Sequence, residues 1–327
     1  MLLLDRGDVA ALLSLPDCIA AVEQVFREHA LGQLPVPPGV LGAHLGRGGF
    51  HVKTAAIGGT PGYFAAKVNA NFPENPVALG LPAIQGVVAL FDTDSGRPLA
   101  LLDSGEITVL RTAAASAVAA RHLARAESAT VTIVGCGLQG RSHLRALAHV
   151  LPLRRAFALD LDPSRARRFA EELAPVLGIA ITPSDDLAGA IAASDVCVTC
   201  TPARKPVFPA ALLRPGLFIA AVGADSPEKH ELEPAVLQRS RVVVDVLEQA
   251  AAFGELHHAI AAGLLSASDV HATLGQVVAG QRPGRGSPAE IFVFDSTGTA
   301  LQDVVAAALV FERAERAGRG TRVELAP

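Results

Sequence analysis

The sequence predicts an α/β protein whose larger part is a doubly wound parallel sheet, and three observations predict it. The first is Val131-Thr132-Ile133-Val134-Gly135-Cys136-Gly137-Leu138-Gln139-Gly140, a β-branched run that ends in a glycine cluster and opens an amphipathic helix reaching about Val150. The second is the next run, Arg154 to Asp160, which ends in an acid about 20 residues past the last glycine. The third is an alternation of strand-like and helix-like segments that continues to residue 246.

Strand, glycines and helix stand in the order that a dinucleotide cradle requires. Gly135 allows the tight turn, Gly137 lets the backbone approach a pyrophosphate, and Gly140 lets the helix pack near the strand. The helix N-terminus, with Leu138 and Gln139, aims free N–H groups at the phosphates. A carboxylate at Asp160 accepts hydrogen bonds from ribose hydroxyls and repels a 2′-phosphate, which favours NAD. Arg165, Arg167 and Arg168 lie just beyond and could accept that phosphate, so NADP stays a second option. The pattern is that of a Rossmann-type fold.

The totals set bounds. A chain of 327 residues suits about two domains. A net charge of −4 offers no basis for attraction to nucleic acid or a membrane surface. No apolar run reaches the roughly 20 residues of a membrane span. Met1-Leu2-Leu3-Leu4-Asp5-Arg6 lacks the basic region and long apolar core of a signal peptide, so a cytoplasmic location is expected. Of four cysteines, Cys197 and Cys200 have a CxxC spacing but lie in a strand-like run, where residues three apart face opposite sides. Buried thiols are expected there, and no metal site.

In chain order, Asp5 to Ala10 opens a short helix, and Pro16 starts a second with Gly32 past its end. Leu34 to Val40 is proline-rich and extended. Strands follow at Gly49 to Ile57, Tyr63 to Asn71, Gln85 to Asp92 and Pro98 to Leu102, the last two forming a hairpin. An alanine-rich helix runs from Glu106 to Ala124, with Ser104 or Thr108 as cap. The domain boundary is placed near Arg125. Residues 1–125 would form an α+β domain completed by 296–327, and residues 126–295 the cofactor domain.

In that second domain strands are expected at 130–134, 154–160, 179–182, 196–201, 217–223 and 241–246. Helices fall near 163–177, 185–193 and 208–213, with Pro163 and Pro183 at helix starts. Glu248 to Leu265 reads as one helix, Arg282 to Gly286 as a mobile basic loop, and Glu290 to Asp295 as the last strand. Thr299 to Arg316 is the final helix, and the tail from Ala317 to Pro327 is expected to be loose.

Five positions could carry chemistry. Lys67 shares a strand face with Asn69 and Asn71, opposite Phe64 and Val68. It suits a substrate carboxylate or an imine's electrons, as a catalytic group, or is a solvated strand lysine. His51 and Lys53 share a face of the preceding strand, as ligand groups or as a satisfied histidine and a surface lysine. Arg111 stands alone among small residues; its fork suits a carboxylate or phosphate, unless it is an exposed helix arginine. Asp225 follows the run Leu217 to Ala224, at the end of a parallel strand where such sheets bind ligands. It could exchange a proton with an amine, or cap a helix starting at Ser226. Phe294-Asp295-Ser296-Thr297-Gly298 turns from a strand into a helix, which capping hydroxyls alone would explain.

These residues resemble the ornithine cyclodeaminase/mu-crystallin family from about Gly49 to Ala317. The stretches that carry the resemblance are Ala66-Lys67-Val68-Asn69, Gly80 to Gly86, Thr108 to Ala114, Val222 to Leu232 and Phe294 to Asp303, together with the glycine loop. The resemblance implies two domains and a homodimer built through the N-terminal one, with the C-terminal helix returning to it. It implies that Lys67 and Arg111 bind a substrate carboxylate and that Asp225 handles the proton at the amine. Leu138, Gln139, Asp160, Thr201, Val222, Lys229 and Ser296 match cofactor-contacting positions, and Thr297 a substrate-side one.

Compared with the ornithine-cyclising members, an upstream arginine is missing near Val40, His51 replaces an acid and Ala83 a threonine; Lys53 could supply the missing charge. The expected activity is NAD-dependent hydride transfer at the Cα of a small α-amino or cyclic imino acid, as in a ketimine reductase or amino-acid dehydrogenase. Ornithine cyclodeamination to proline with release of ammonia is the first alternative. A non-catalytic NAD(P)H-dependent ligand-binding protein is the second.

Overall fold

The computed structural model describes residues 1–325, and the chain divides into two compact units. The first comprises Met1–Arg111 and the chain from Thr299 onward; the second is Thr112–Gly298. The division falls inside the helix Ser104–Leu123, not near Arg125. The reason lies in the side chains. Arg111 bonds to Gln302 and Asp303 of the first unit, whereas Ser116, further along the helix, meets His143 of the second.

The first unit is built on a mixed sheet. Its strands are β1 (Leu2–Leu4), β2 (Val36–Leu45), β3 (Gly48–Ile57), β4 (Tyr63–Asn71), β5 (Ile84–Asp92) and β6 (Pro98–Asp103). They lie in the order β1-β6-β5-β4-β3-β2, antiparallel except for β1 beside β6. The β3–β4 register sets Lys53 opposite Lys67 and His51 opposite Asn69. With a two-residue repeat these four share one face. The helices Leu15–Ala30 and Ala300–Ala317 pack on each other, and the second lies on β3 and β4. Thr299 caps this last helix and Gly318, at φ 59°, ends it.

The extended proline-rich stretch runs into the edge strand β2, whose backbone pairs with β3. Two expectations need correction here. The cap of the helix Ser104–Leu123 is neither Ser104 nor Thr108: the Asp103 carboxylate accepts from the backbone N–H groups of Gly105 (3.0 Å) and Glu106 (3.3 Å). The tail is not wholly loose, since Thr321–Arg322 forms a strand antiparallel to β1; Ala326 and Pro327 lie outside the described residues.

The second unit carries the parallel sheet: β7 (Thr130–Val134), β8 (Arg155–Leu159), β9 (Ala180–Pro183), β10 (Val196–Thr199), β11 (Arg204–Phe208), β12 (Phe218–Ala221), β13 (His230–Leu232), β14 (Arg241–Val244), β15 (Ala272–Thr273) and β16 (Phe292–Asp295). The main sheet has the order β15-β14-β16-β12-β10-β7-β8-β9, every neighbour parallel. β11 and β13 pair separately. The chain leaves β7 toward β9 on one side and returns to β10 on the other. The carboxyl ends of β7 and β10 therefore flank the switch point where such sheets receive ligands.

Here too the structure revises details. Pro183 ends β9, and the next helix starts at Leu187 with Asp186 as cap. Residues 208–213 hold only a 3-10 turn, Ala210–Leu212. The expected helix Glu248 to Leu265 is two, Leu247–Phe253 and Glu255–Ala261, broken at Gly254. A Cβ at Gly254 would stand 2.6 Å from an Asp295 carboxylate oxygen, so only glycine fits the break. The loop Arg282 to Gly286 is pinned, not free: Arg285 Nε donates to the Leu123 carbonyl at 2.7 Å, and Gly286 N to the Glu290 carboxylate at 2.8 Å. Asp225 caps no helix, because residues 226–229 form a turn leading into β13. Cys197 is buried in β10 and Cys200 lies just past it; neither is in a disulfide, and burial pushes both thiols up. Among the described residues no single helix is long and apolar enough to cross a membrane.

Candidate active site

The glycine loop connects β7 to the helix Leu138–Ala148. Gly135 takes φ +105°, a region that disfavours any side chain. A Cβ on Gly140 would meet the Gly135 carbonyl oxygen at 2.1 Å, so strand and helix approach as closely as glycine permits. A Cβ on Gly137, by contrast, would have nothing within 4 Å. That open space beside a helix N-terminus fits a pyrophosphate. Leu138 is exposed there, and Gln139 follows it on the first turn.

Asp160 follows β8 and faces this loop. One of its oxygens accepts from Cys136 N at 2.9 Å and the other from Asp162 N at 3.0 Å. Each oxygen keeps a further lone pair, which suits ribose hydroxyls. Thr201 follows β10, and its methyl lies 3.2 Å from where a Cβ at Gly135 would stand. Gly loop, Asp160 and Thr201 thus border the switch point, and the residues present fit a dinucleotide.

Val222 continues from β12, its N–H donating to the Thr199 carbonyl at 2.9 Å. Asp225 follows and pairs with Lys229 at 2.5 Å. Ser296 and Thr297 follow β16 and are buried. The Thr297 hydroxyl sits 2.9 Å from an Asp245 carboxylate oxygen, which also receives Val246 N at 2.8 Å. The Thr297 hydroxyl is therefore held within the fold, between Asp245 and Gln249.

The first unit holds the cations. Lys53, Lys67 and Arg111 are 8%, 2% and 5% exposed, which removes the surface readings of all three. His51 is half-buried. Lys67 Nζ lies 2.7 Å from the Asp303 carboxylate, and Arg111 Nε donates to the same carboxylate at 2.9 Å. Arg111 also donates to Gln302 Oε1 at 2.8 Å. Burial lowers the Lys67 pKa to about 7, aided by Arg111 and Lys53 and opposed by Asp303. Burial would raise Asp303, but the charges of Lys67, Arg111 and Lys53 outweigh it and hold the carboxyl below its ordinary range.

Asp303 and Gln302 were given no role by the sequence, although the stretch to Asp303 was singled out. The signal was available: two buried cations demand an acid, and Asp303 lies in the first turn of the returning helix. Glu231, fully buried in β13, was missed as well. Among the described residues no group of three or more His, Cys, Asp or Glu is arranged to hold a metal ion.

A model of the ornithine cyclodeaminase/mu-crystallin family matches residues 1–318. The chain belongs to this family. Family relatives extend over its whole length. It is 37% identical over 324 residues to the alanine dehydrogenase of Archaeoglobus fulgidus, covering 99% of this chain and 98% of that protein. The solved structure of an archaeal alanine dehydrogenase dimer with bound NAD superposes at a TM-score of 0.94, with 37% identity and 99% of each chain covered. The Δ1-pyrroline-2-carboxylate reductase of Thermococcus litoralis, solved with NADH and L-proline, gives 0.94 at 34% identity, covering 99% of this chain and 100% of that one.

Proposed function

We propose that this family member is an NAD-dependent oxidoreductase acting at the Cα of a small α-amino or cyclic imino acid, as a ketimine reductase or amino-acid dehydrogenase. The observation that carries the reading is the buried trio Lys67, Arg111 and Asp303. Two cations on one carboxylate leave a formal positive charge unanswered within the trio. A substrate carboxylate would neutralise it, and low local dielectric makes that attraction strong. Lys53, on the same sheet face as Lys67, adds to the pull.

In this reading Arg111 and Lys67 fix the substrate carboxylate, and so the distance and angle of Cα. NAD, when bound, supplies the hydride acceptor or donor for that carbon. Gly135, Gly137, Gly140, Leu138 and Gln139 would hold its pyrophosphate, Asp160 its ribose, and Thr201, Val222 and Ser296 its nicotinamide end. Asp225 exchanges the proton at nitrogen, with Lys229 holding the ionised carboxylate in place. His51 would meet the substrate beside Lys67, and Thr297 matches a substrate-side position of the family.

A homodimer belongs to the same reading. Leu41, Val52, Val68 and Val87 form one row across β2, β3, β4 and β5, on the sheet face opposite Lys67. Leu41, Val68 and Val87 are 69%, 37% and 39% exposed. An exposed apolar face of this kind calls for a partner, and the archaeal relative is a dimer. A second copy of this chain is the occupant we assign.

The test is NADH oxidation by purified protein with Δ1-pyrroline-2-carboxylate, Δ1-piperideine-2-carboxylate, and pyruvate plus ammonia. Oxidation with at least one is expected. Retained NADH binding without turnover on any, or on ornithine with NAD, would replace the enzyme by a binding protein.

A further inference from the structure

We infer that Glu231 is a positioning residue: its carboxylate clasps the loops after β10 and β12 and so sets the wall that receives the nicotinamide end of the cofactor. The inference rests on the proposed cofactor site and adds a residue to which that reading gives no role. Glu231 is fully buried in the short strand β13, and its side chain points back at the main sheet. One carboxylate oxygen accepts from both Thr201 N (2.6 Å) and Thr201 Oγ1 (2.7 Å). The other accepts from Gly223 N at 2.8 Å. A single acceptor group thus ties together the carboxyl ends of two neighbouring strands.

The clasp is tight on every side. A Cβ at Gly223 would lie 2.4 Å from the Glu231 carboxylate and 2.5 Å from the Thr201 carbonyl oxygen. Thr201 in turn lies beside Gly135, its methyl 3.2 Å from where a Cβ there would stand, whereas the turn at Gly135 is set by glycine's own backbone and does not depend on Glu231. β13 itself is held from behind: Glu255 accepts from Glu231 N at 2.7 Å and Leu232 N at 3.0 Å. Asp295 accepts from Leu256 N at 2.8 Å and anchors the helix that carries Glu255. Burying three carboxylates for strand geometry alone is a costly device, since an apolar strand would pack without desolvating charge. What the carboxylate supplies is acceptors on both sides at once. A glutamine can accept on one side only, and its NH2 group would face an N–H donor on the other.

The experiment compares wild type with Glu231→Gln and Glu231→Asp for binding of NADH and of ADP-ribose, for kcat and KM, and for melting temperature. ADP-ribose carries the phosphate-loop half of the cofactor without nicotinamide. The Gln variant should keep ADP-ribose affinity within about twofold and lose about tenfold in NADH affinity, the scale of one charge-assisted hydrogen bond. Its kcat should fall roughly 100-fold, as expected from a misplacement near 1 Å. Glu231→Asp, an acceptor on both oxygens, should recover part of both. NADH affinity and kcat within about twofold of wild type would overturn the assignment. Equal losses of NADH and ADP-ribose affinity with a lowered melting temperature would do so too, by showing a merely structural role. Should Glu231→Gln not fold, Thr201→Val, which removes one of three donors, decides by the same comparison. Wild-type protein that binds no NADH would instead overturn the cofactor reading itself.

Discussion

Lys67 Nζ and the Asp303 carboxylate stand 2.7 Å apart with both side chains almost fully buried, and Arg111 shares the same acid. Asp303 thereby fixes two cations that the sheet and the helix Ser104–Leu123 bring from different parts of the first unit. Lys67 is nonetheless close to losing its proton, since burial and Arg111 act against the charge and outweigh Asp303.

The first prediction concerns pH. The protonated Lys67 holds an anion, and its pKa in the free protein is about 7. The inhibition constant of pyruvate, measured without ammonia, should therefore rise as pH passes above 7. The rise approaches tenfold per pH unit if this contact is lost entirely. In Lys67→Met the step should vanish. A wild-type inhibition constant constant to pH 9 would contradict it.

Replacing Asp303 by Asn should leave Lys67 and Arg111 buried without their acid, at a cost of about 3–5 kcal/mol in stability. The pH dependence follows from the depressed carboxyl. Its stabilisation is full above the ordinary value of 3.8 and is lost as pH falls through the lower folded value. Urea unfolding at pH 7 and in acid checks both parts: wild type loses this contribution in acid, and the Asn variant has none to lose.

Asp225→Asn should cut turnover by about 100-fold or more and leave NADH affinity nearly unchanged, because the amide cannot exchange the proton. Stopped-flow hydride transfer and fluorescence titration separate the two. Near-wild-type turnover would remove Asp225 from its assigned role.

Asp160→Ser should raise the NADPH to NADH ratio of kcat/KM by about tenfold or more, since the repulsion of a 2′-phosphate disappears. It should also cost about 1–3 kcal/mol, because Cys136 N and Asp162 N lose a charged acceptor. An unchanged ratio would show that the arginines beyond β8, not Asp160, govern the choice.

Val68→Glu places a charge in the exposed apolar row of the first-unit sheet. Sedimentation should show wild type as a dimer and the variant as a monomer at micromolar concentration. A monomeric wild type would refute the second-copy assignment.

The glycine loop was legible because its requirements are local: a left-handed turn at Gly135, contact at Gly140 and open space at Gly137 follow each other within six residues. The faces of β3 and β4 were legible for the same kind of reason, since alternation alone sets Lys53 and Lys67 beside His51 and Asn69. The break at Gly254 was not, because the atom that forbids a side chain there belongs to Asp295, some forty residues on. Nor was the cap at Asp103, whose carboxylate takes the two N–H groups that Ser104 and Thr108 were expected to serve.

What the sequence by itself determined is the order of the main strands and helices, the glycine loop, the acid after β8 and the identity of the cations. These follow from backbone rules and side-chain periodicities that act over one or two turns. Only the tertiary structure decided that Asp303 answers Lys67 and Arg111, and that Glu231 joins Thr201 to Gly223. Charge burial and carboxylate acceptance depend on which distant segments are desolvated together, and no local pattern carries that information.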